Sequence, residues 1–325
     1  MPEIMKHYKQ LIDDLNNLGY QDQIAAGQRA REIAHDARQA GHEGYAQFFE
    51  GEASFYEGDL ETACSIESEA LQLLPDVPFL LSNYAVVLMV HGMPEKALQY
   101  YDLALEMCPE DTHALCCKGV TMANLGHEEE ALALFDKALT IHPDQTKLEN
   151  GSLSKHDDKC PPAREINPYY WQTLMNKGVL LANLSRSGEA LNYFDQALQV
   201  NPGNPRILKK KGDILMNLGR NEEALTHFDQ VLEQNQENTQ ALRNKGITLS
   251  KMNRYQEALE YFHNLEKLVE LNHFDLAVTT KLYEELKQLD KAKISAKQWI
   301  SALEENDLPT EDATEYLKNI EQKKN

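Results

Sequence analysis

Hydrophobic and polar positions recur along the chain with a period of 34 residues. Three stretches, which begin at Leu115, Leu174 and Leu208, repeat almost the same order of apolar, small and charged residues. Units of this kind start at residues 44, 78, 112, 171, 205 and 239. Self-similarity at a fixed period of this length predicts a repeat protein, in which neighbouring units bury each other's apolar faces.

Each unit predicts two helices that pack as a hairpin. On a wheel of 100° per residue, positions 4, 7, 8 and 11 share one face, and positions 20, 24 and 27 form the matching face of a second helix. A small residue at position 8 predicts close approach of the two helices, and a proline at position 32 ends the second helix. Position 8 holds Gly51, Ala85, Gly119, Gly178, Gly212 and Gly246, and position 24 holds Tyr101, Phe135, Phe194, Phe228 and Phe262.

With these residues the sequence resembles the tetratricopeptide repeat family, whose order of large, Leu, Gly, Ala, Phe and Pro positions it follows. The resemblance implies an all-α fold, a right-handed solenoid of helix hairpins with six clear repeats and degenerate capping hairpins at both ends. The expected organisation is a divergent hairpin over residues 1–43, repeats over 44–145 and 171–272, and a degenerate repeat with a capping helix over 273–325.

An insertion at residues 146–170 interrupts the period. It contains Asn150-Gly151-Ser152 and Pro161-Pro162, which is the chemistry of a loop. A surface loop tolerates such an insertion at little cost in free energy. The alternatives are a flap over the binding groove and a hinge between two blocks of repeats.

Charge narrows the range of partners. Lys and Arg number 32 against 52 Asp and Glu, a formal net charge of −20. An acidic surface repels phosphate backbones and anionic lipid, so we expect neither nucleic acid nor a membrane as partner. No apolar run approaches the length of a spanning helix, and the five cysteines form no CxxC pair. We therefore expect a cytoplasmic protein.

Sequence motifs for catalysis are absent. The chain contains no P-loop, GxGxxG, GxSxG or HExxH motif. His113, Cys116 and Cys117 share a helix face, but their spacing matches no established zinc pattern. We accordingly predict a non-enzymatic protein without cofactor or metal site.

Positions 2, 5, 6, 9 and 13 of the unit lie opposite the packing face. The resemblance to the tetratricopeptide repeat family implies that this side lines a concave groove, which holds an extended peptide. Asparagine stands at position 6 in three units, as Asn83, Asn176 and Asn244. A side-chain amide there both donates to and accepts from a peptide backbone, although asparagine is also a common solvated residue.

Cations collect on this side of the fifth and sixth units. Arg206, Lys209 and Lys210 occupy positions 2, 5 and 6 of one unit, and Arg243 and Lys251 occupy positions 5 and 13 of the next. Asn217 and a single acid, Asp213, complete the set. In an acidic chain, such a stripe predicts selection of an acidic segment through electrostatic complementarity, unless these are simply solvated residues.

An aromatic stripe marks the first unit instead. Tyr45, Phe48, Phe49 and Tyr56 occupy positions 2, 5, 6 and 13. One interpretation is an aromatic groove that anchors apolar side chains of a ligand. The other is that the helix is rotated and buries the stripe in the core, because its usual packing positions are polar.

Together these features predict a scaffold or adaptor that binds a peptide segment of a partner protein in the concave groove. The ligand of the C-terminal half is expected to be acidic, and that of the N-terminal half apolar or aromatic. Two alternatives stay open, a peptide-responsive regulator and a homo-oligomeric assembly scaffold.

Overall fold

The computed structural model describes residues 3–19, 22–141 and 169–324, and within these ranges the chain forms 17 α-helices and no strand. The predicted all-α fold is confirmed. The helices are α1 (Glu3–Gly19), α2 (Gln23–Gln39), α3 (Glu43–Tyr56), α4 (Leu60–Leu73), α5 (Pro78–Val90), α6 (Pro94–Met107), α7 (Thr112–Asn124), α8 (Glu128–Thr140), α9 (Tyr170–Asn183), α10 (Ser187–Val200), α11 (Pro205–Asn217), α12 (Asn221–Gln234), α13 (Thr239–Lys251), α14 (Tyr255–Glu266), α15 (His273–Glu285), α16 (Leu289–Glu304) and α17 (Glu311–Lys324).

Consecutive helices pack in pairs, as the periodicity predicts. The pairs α3–α4, α5–α6, α7–α8, α11–α12, α13–α14 and α15–α16 have extensive contacts. Within a pair, the residue at position 8 meets the aromatic ring at position 24: a Cβ added to Gly119 would lie 2.7 Å from Phe135 Cε1, and one added to Gly212 would lie 2.7 Å from Phe228 Cε1. Real Cβ atoms do not approach a ring so closely, so these positions require glycine.

The chain divides into two compact units, unit 1 (Met1–Leu184) and unit 2 (Ser185–Asn325). The division follows α9 and therefore falls inside the fourth predicted repeat. Apart from Tyr169 and Tyr170, the predicted insertion at 146–170 lies outside the described residues. Its interpretation as a flap, hinge or plain loop stays a prediction.

Successive hairpins are joined by a recurring ion pair. A lysine at position 7 meets an aspartate at position 25 of the preceding repeat, and in the pairs Lys118–Asp102 and Lys211–Asp195 the Nζ and Oδ1 atoms are 2.5 Å apart. Lys177–Asp136 and Lys245–Asp229 repeat the contact. The aspartates are about half exposed, so each pair contributes well under about 1 kcal/mol to stability but favours one register of stacking.

The C-terminal helices lie where the degenerate repeat and capping helix are predicted. Ile320 of α17 packs against Ala292 and Ala296 of α16 in one buried cluster. Lys323 of the same helix pairs with Glu284 of α15 at 2.5 Å. The last helix thus covers an apolar surface of α16.

Candidate functional site

The first helix of each hairpin contributes to one side of a unit, here called the inner face. In unit 1 the inner face is formed by α3, α5, α7 and α9, and α1 lies against it. The Tyr8 ring of α1 stacks on the Tyr45 ring with centroids 4.1 Å apart, and the Phe49 ring lies 6.0 Å away. The Tyr8 hydroxyl is 2.8 Å from His42 Nδ1, just before α3 begins. The N-terminal half of α1 therefore lies along α3.

The C-terminal half of α1 reaches further hairpins through Asn16. Its Nδ2 atom donates to Asn83 Oδ1 of α5 at 3.0 Å and to the Tyr169 hydroxyl, just before α9, at 3.3 Å. Its Oδ1 atom accepts a hydrogen bond of 3.1 Å from the Tyr56 hydroxyl of α3. One side chain thus contacts three elements of the inner face.

A partly buried polar network surrounds these contacts. The Tyr169 hydroxyl donates to Asp13 Oδ1 at 2.7 Å, and Asp13 pairs with Lys9 at 2.6 Å. The Tyr169 ring also packs against His113 of α7, with ring centroids 4.6 Å apart. Burial, together with the smaller effect of the nearby Lys9 charge, lowers the pKa of His113 to about 4, so this imidazole is neutral at pH 7.

The helix α9 belongs to unit 1, where it packs against α8 and α7 and also bonds to α1. Tyr169 bonds to Asp13, and Gln172 Nε2 donates to Asn17 Oδ1 at 3.3 Å. Both tie the start of α9 to the N-terminal helix. The predicted fourth repeat is therefore divided, with its first helix in unit 1.

The aromatic stripe of the first repeat is buried. Phe48 is fully buried in the hydrophobic core and lines no groove, which corrects its prediction as a ligand contact. Tyr45 and Phe49 are covered by Tyr8, and Tyr56 bonds to Asn16. The rotated interpretation thus holds for Phe48, whereas the other three side chains face α1.

The three asparagines at position 6 bond within the chain. Asn83 is 4% exposed, and its Nδ2 donates to the Phe79 carbonyl oxygen at 2.7 Å while its Oδ1 accepts from α1. Asn176 Nδ2 donates to Cys116 Sγ at 3.5 Å. Asn244 Nδ2 donates to Asp213 Oδ1 at 2.5 Å. In each case the amide that could bond to a peptide backbone is instead engaged with a neighbouring helix.

The inner face of unit 2 carries the basic stripe on α11 and α13. Lys210 and Lys251 are exposed and make no ion pair among the described residues, and Asn217 near them is exposed as well. Lys209 is half-buried, with its Nζ 3.8 Å from Asp213 Oδ2. Burial lowers the pKa of Lys209, and burial likewise raises the pKa of Asp213. Arg206 lies one turn before Lys210 and is partly exposed.

Arg243 has a different role from the one predicted. Its Nε and Nη2 atoms donate to the two carboxylate oxygens of Asp275 at 2.7 and 2.8 Å. Asp275 is 1% exposed and also accepts from the backbone N–H of Asn272 in the capping box that starts α15. The guanidinium therefore compensates a buried carboxylate, and its charge is engaged within the fold, which corrects its prediction as a free groove cation.

Unit 1 contains two buried carboxyl groups, Glu52 and Glu67, that the sequence pattern did not single out. Glu67 occupies position 24 of the first repeat, where the other repeats have an aromatic ring, and its side chain meets Gly51 as those rings meet their glycines. It is fully buried, and neither carboxyl oxygen has a hydrogen-bond partner among the described residues. Burial raises the pKa of Glu52 to about 8 and raises that of Glu67 well above its ordinary value, with the Glu52 charge adding to the latter shift.

The described residues were compared with the requirements of a metal site and of a membrane-spanning helix. There, no three His, Cys, Asp or Glu side chains are grouped so as to hold a metal ion. Among the same residues, no helix combines the length and apolar character that crossing a bilayer requires.

Comparison with known proteins identifies proteins of similar fold. Residues 185–246 match the model of the tetratricopeptide repeat family, whose members are generally non-catalytic. No curated protein matches the chain at a significant level. Among solved structures, pilF of Pseudomonas aeruginosa is 18% identical, with 69% of this chain and 90% of that chain covered and a TM-score of 0.55.

Two further structures extend the similarity. A tetratricopeptide repeat protein from Parabacteroides merdae is 18% identical, with 85% of this chain and 98% of that chain covered and a TM-score of 0.54. A chain of the APC/C hetero-tetramer Cut9–Hcn1 is 13% identical, with 98% of this chain and 57% of that chain covered and a TM-score of 0.69. At these identities the likeness concerns the fold. The chain thus has the helix-hairpin solenoid fold of the tetratricopeptide repeat family that its periodicity predicts, and residues 185–246 match the family's own model.

Proposed function

We propose that the chain is an adaptor that binds an acidic segment of a partner protein on the inner face of unit 2. The fold itself is a scaffold for protein–protein interaction, because stacked hairpins present extended surfaces to partners. What distinguishes unit 2 is that its inner face carries positive charge.

The two free lysines are the observation that carries this proposal. Lys210 and Lys251 are exposed on neighbouring first helices and make no ion pair or hydrogen bond within the described residues, although the Lys210 charge also acts on Asp213. The acid on this face, Asp213, is engaged by Lys209 and Asn244. The face therefore keeps a net positive charge although the whole chain carries −20. Such a local excess attracts and orients an acidic segment and disfavours a basic one.

The proposed contact set is smaller than the stripe read from sequence. It comprises Lys209, Lys210 and Lys251, with Arg206 and Asn217 beside them. Arg243 is left out because its guanidinium holds Asp275 in a bidentate pair. A ligand that drew Arg243 away would leave the buried Asp275 carboxylate uncompensated, which costs several kcal/mol, roughly 3–5.

Charge reversal on the full chain tests the proposal. Lys210→Glu with Lys251→Glu is compared with Lys297→Glu and Lys318→Glu, which change the net charge equally at exposed positions of α16 and α17. The probe is a fluorescein-labelled peptide of alternating Glu and Ala, and binding is followed by fluorescence anisotropy. We expect the inner-face reversal to weaken binding by about tenfold or more, because two attractions become repulsions.

The control reversal should change affinity by less than about threefold, since it alters only the overall field of the chain. Equal losses in both variants would mean that the peptide senses net charge alone, and the proposal would fail. It would also fail if the peptide with Lys in place of Glu bound as tightly as the acidic one.

A further inference from the structure

The N-terminal helix has one buried side and one exposed side. Met5, Tyr8, Ile12 and Leu15 are buried, whereas Lys6, Gln10 and Asp14 on the opposite side are exposed. Its buried side lies on the inner face, which is the surface that repeat solenoids offer to partners. We infer that α1 is a displaceable resident of a helix-binding groove in unit 1, and that an amphipathic helix of a partner protein takes its place there.

The contacts of α1 resemble recognition of a ligand by several repeats. Tyr8 stacks on Tyr45 of α3, and Asn16 bonds to Asn83 of α5 and to the hydroxyl of Tyr169. These partners stand 37 to 153 residues from the α1 residue that meets them. Each contact is a directed hydrogen bond or ring stacking, so the groove selects particular side chains at particular positions of the helix.

The surface beneath α1 is suited to temporary exposure. Tyr45, Tyr56 and Tyr169 each combine a ring with a hydroxyl, and Asn83 and Gln172 provide amides. Groups of this kind are hydrated when uncovered, unlike the purely apolar side chains of Phe48 and Leu80 in the core. Departure of α1 would therefore expose these groups together with the Phe49 ring that Tyr8 covers, while the packing within the α3–α4 and α5–α6 hairpins stays in place.

The resident helix also defines the chemistry of the partner. The groove takes an aromatic ring at the Tyr8 site, aliphatic side chains four and seven residues later, and an amide eight residues later. A carboxylate at the Asp13 site meets the Tyr169 hydroxyl. With 17 residues, α1 spans about 25 Å at 1.5 Å per residue, which sets the length of helix that the groove holds.

A peptide of residues 3–19 is the probe that tests this inference. It is labelled and titrated with the full chain, with a release variant, Ile12→Ala and Leu15→Ala, and with a control variant, Gln10→Ala and Asp14→Ala. The release variant removes apolar contacts that α1 makes with the core of unit 1, whereas the control alters the exposed side of α1. We expect the release variant to bind the peptide at least about tenfold more tightly than the wild type and the control.

A third variant locates the bound peptide. Asn83→Ala added to the release variant removes the groove partner of Asn16, and we expect it to weaken peptide binding about fivefold. Two results would overturn the inference: a release variant that keeps its helical circular dichroism but binds no peptide, and a wild type that binds as tightly as the release variant.

Two other results have a defined meaning. If the release variant lost helical signal far beyond that of 17 residues, α1 would be an integral part of the core and the inference would be wrong. The milder Asn16→Ala variant, which removes hydrogen bonds and no apolar volume, repeats the test under conditions where the fold is kept.

Light scattering tests whether a second copy of the chain is the occupant instead. If the wild type had twice the chain mass and the release variant were a monomer, a second copy would be the occupant, and the inference of a partner helix would be wrong. These variants and the probe concern unit 1, so their outcome is independent of the acidic ligand proposed for unit 2.

Discussion

The two units are built from the same kind of helix hairpin, but their inner faces differ in character. In unit 1 the inner face is covered by α1, and the aromatic and amide groups that look available in sequence are engaged with it. In unit 2 the corresponding face carries exposed lysines, of which Lys210 and Lys251 make no ion pair within the described residues. The hairpin pattern therefore dictates which residues point to the inner face, but other segments decide whether that face is open.

The two units also differ in how their buried carboxyl groups are compensated. Asp275 in unit 2 is buried with a bidentate guanidinium from Arg243. Glu52 and Glu67 in unit 1 are buried close to each other, and burial raises the pKa of both. A compensated carboxylate stabilises the ionised form, whereas an uncompensated pair favours the protonated form. Unit 1 should thus depend on pH in a way that unit 2 does not.

The largest expected effect separates structural aromatics from surface cations. Phe49→Ala should lower the free energy of unfolding of unit 1 by about 3–5 kcal/mol, because the ring is fully buried between Phe48 and Tyr8. Lys210→Ala should change unit 2 by less than about 0.5 kcal/mol, because the side chain is exposed and unpaired. Urea unfolding of both variants measures the difference.

Each unit contains one tryptophan, which allows the two transitions to be followed separately. Trp171 lies in α9 of unit 1, and Trp299 lies in α16 of unit 2. Trp299→Phe leaves fluorescence from unit 1 alone, and Trp171→Phe leaves that of unit 2. A mild effect of Phe49→Ala on the Trp171 signal, similar to that of Lys210→Ala on Trp299, would contradict the buried placement of the stripe.

The next effect concerns the arginine that the sequence places among ligand contacts. Arg243→Ala should destabilise unit 2 by about 3–5 kcal/mol, because it leaves the buried Asp275 carboxylate without its cation. Arg254→Ala is the matched control, since its pair with Glu257 is exposed to solvent and its loss should leave the stability of unit 2 nearly unchanged. The Trp299 signal reports both. If Arg243→Ala left stability unchanged and instead weakened binding of the acidic peptide, Arg243 would return to the ligand-binding set.

Replacement of the unpaired carboxyl should strengthen unit 1. Glu67→Phe restores the aromatic ring that Phe135 and Phe228 provide at the same position, where each packs on a glycine. We expect a gain of about 2 kcal/mol at neutral pH, because a buried carboxyl without hydrogen-bond partners is exchanged for apolar packing. The Trp171 signal in urea measures it, and a loss of stability would show that the Glu67 site cannot hold a ring.

The same carboxyl groups set the pH dependence of unit 1. Their pKa is higher in the folded chain than in the unfolded one, so their contribution to stability is complete at pH below about 4.5 and is lost as pH rises through the folded-state pKa, which is about 8 for Glu52. Unfolding of unit 1 should therefore become easier from about pH 5 to pH 9. Glu67→Gln should flatten this dependence, and an unchanged slope in that variant would contradict the assignment.

Periodicity explains how much of this could be predicted from the sequence. The hairpins follow from columns such as Gly119 with Phe135, because a repeated contact leaves a repeated residue. The recurring lysine at position 7 and aspartate at position 25 were equally visible, but a sequence column does not reveal that Lys211 reaches Asp195 in the preceding repeat. Local geometry was thus predictable, and pairing between columns was not.

Contacts that occur once leave no periodic trace. The helix that covers Tyr45 and Asn83 lies outside the period, so nothing in the repeat pattern indicates its place. Its apolar spacing from Met5 to Leu15 was a usable signal, since a one-sided helix must bury that side somewhere. Glu67 was a second signal, as a carboxyl in an aromatic column.

Salt should produce the smallest effect and separates the two inner faces by mechanism. Between about 50 and 200 mM salt, binding of the Glu-Ala peptide to unit 2 should weaken about fivefold, because exposed lysines attract it through water and mobile ions screen that attraction. Binding of the residue 3–19 peptide to the release variant should change by less than about twofold. Its contacts are apolar packing, ring stacking and hydrogen bonds. Its charged groups Lys9 and Asp13 pair with each other on the peptide itself, and Asp13 also accepts from the neutral Tyr169 hydroxyl. Anisotropy titrations at both salt concentrations measure the two slopes. Equal slopes would mean that the two faces do not differ in how they attract a ligand, because a groove that selects shape should not respond to screening as a charged surface does.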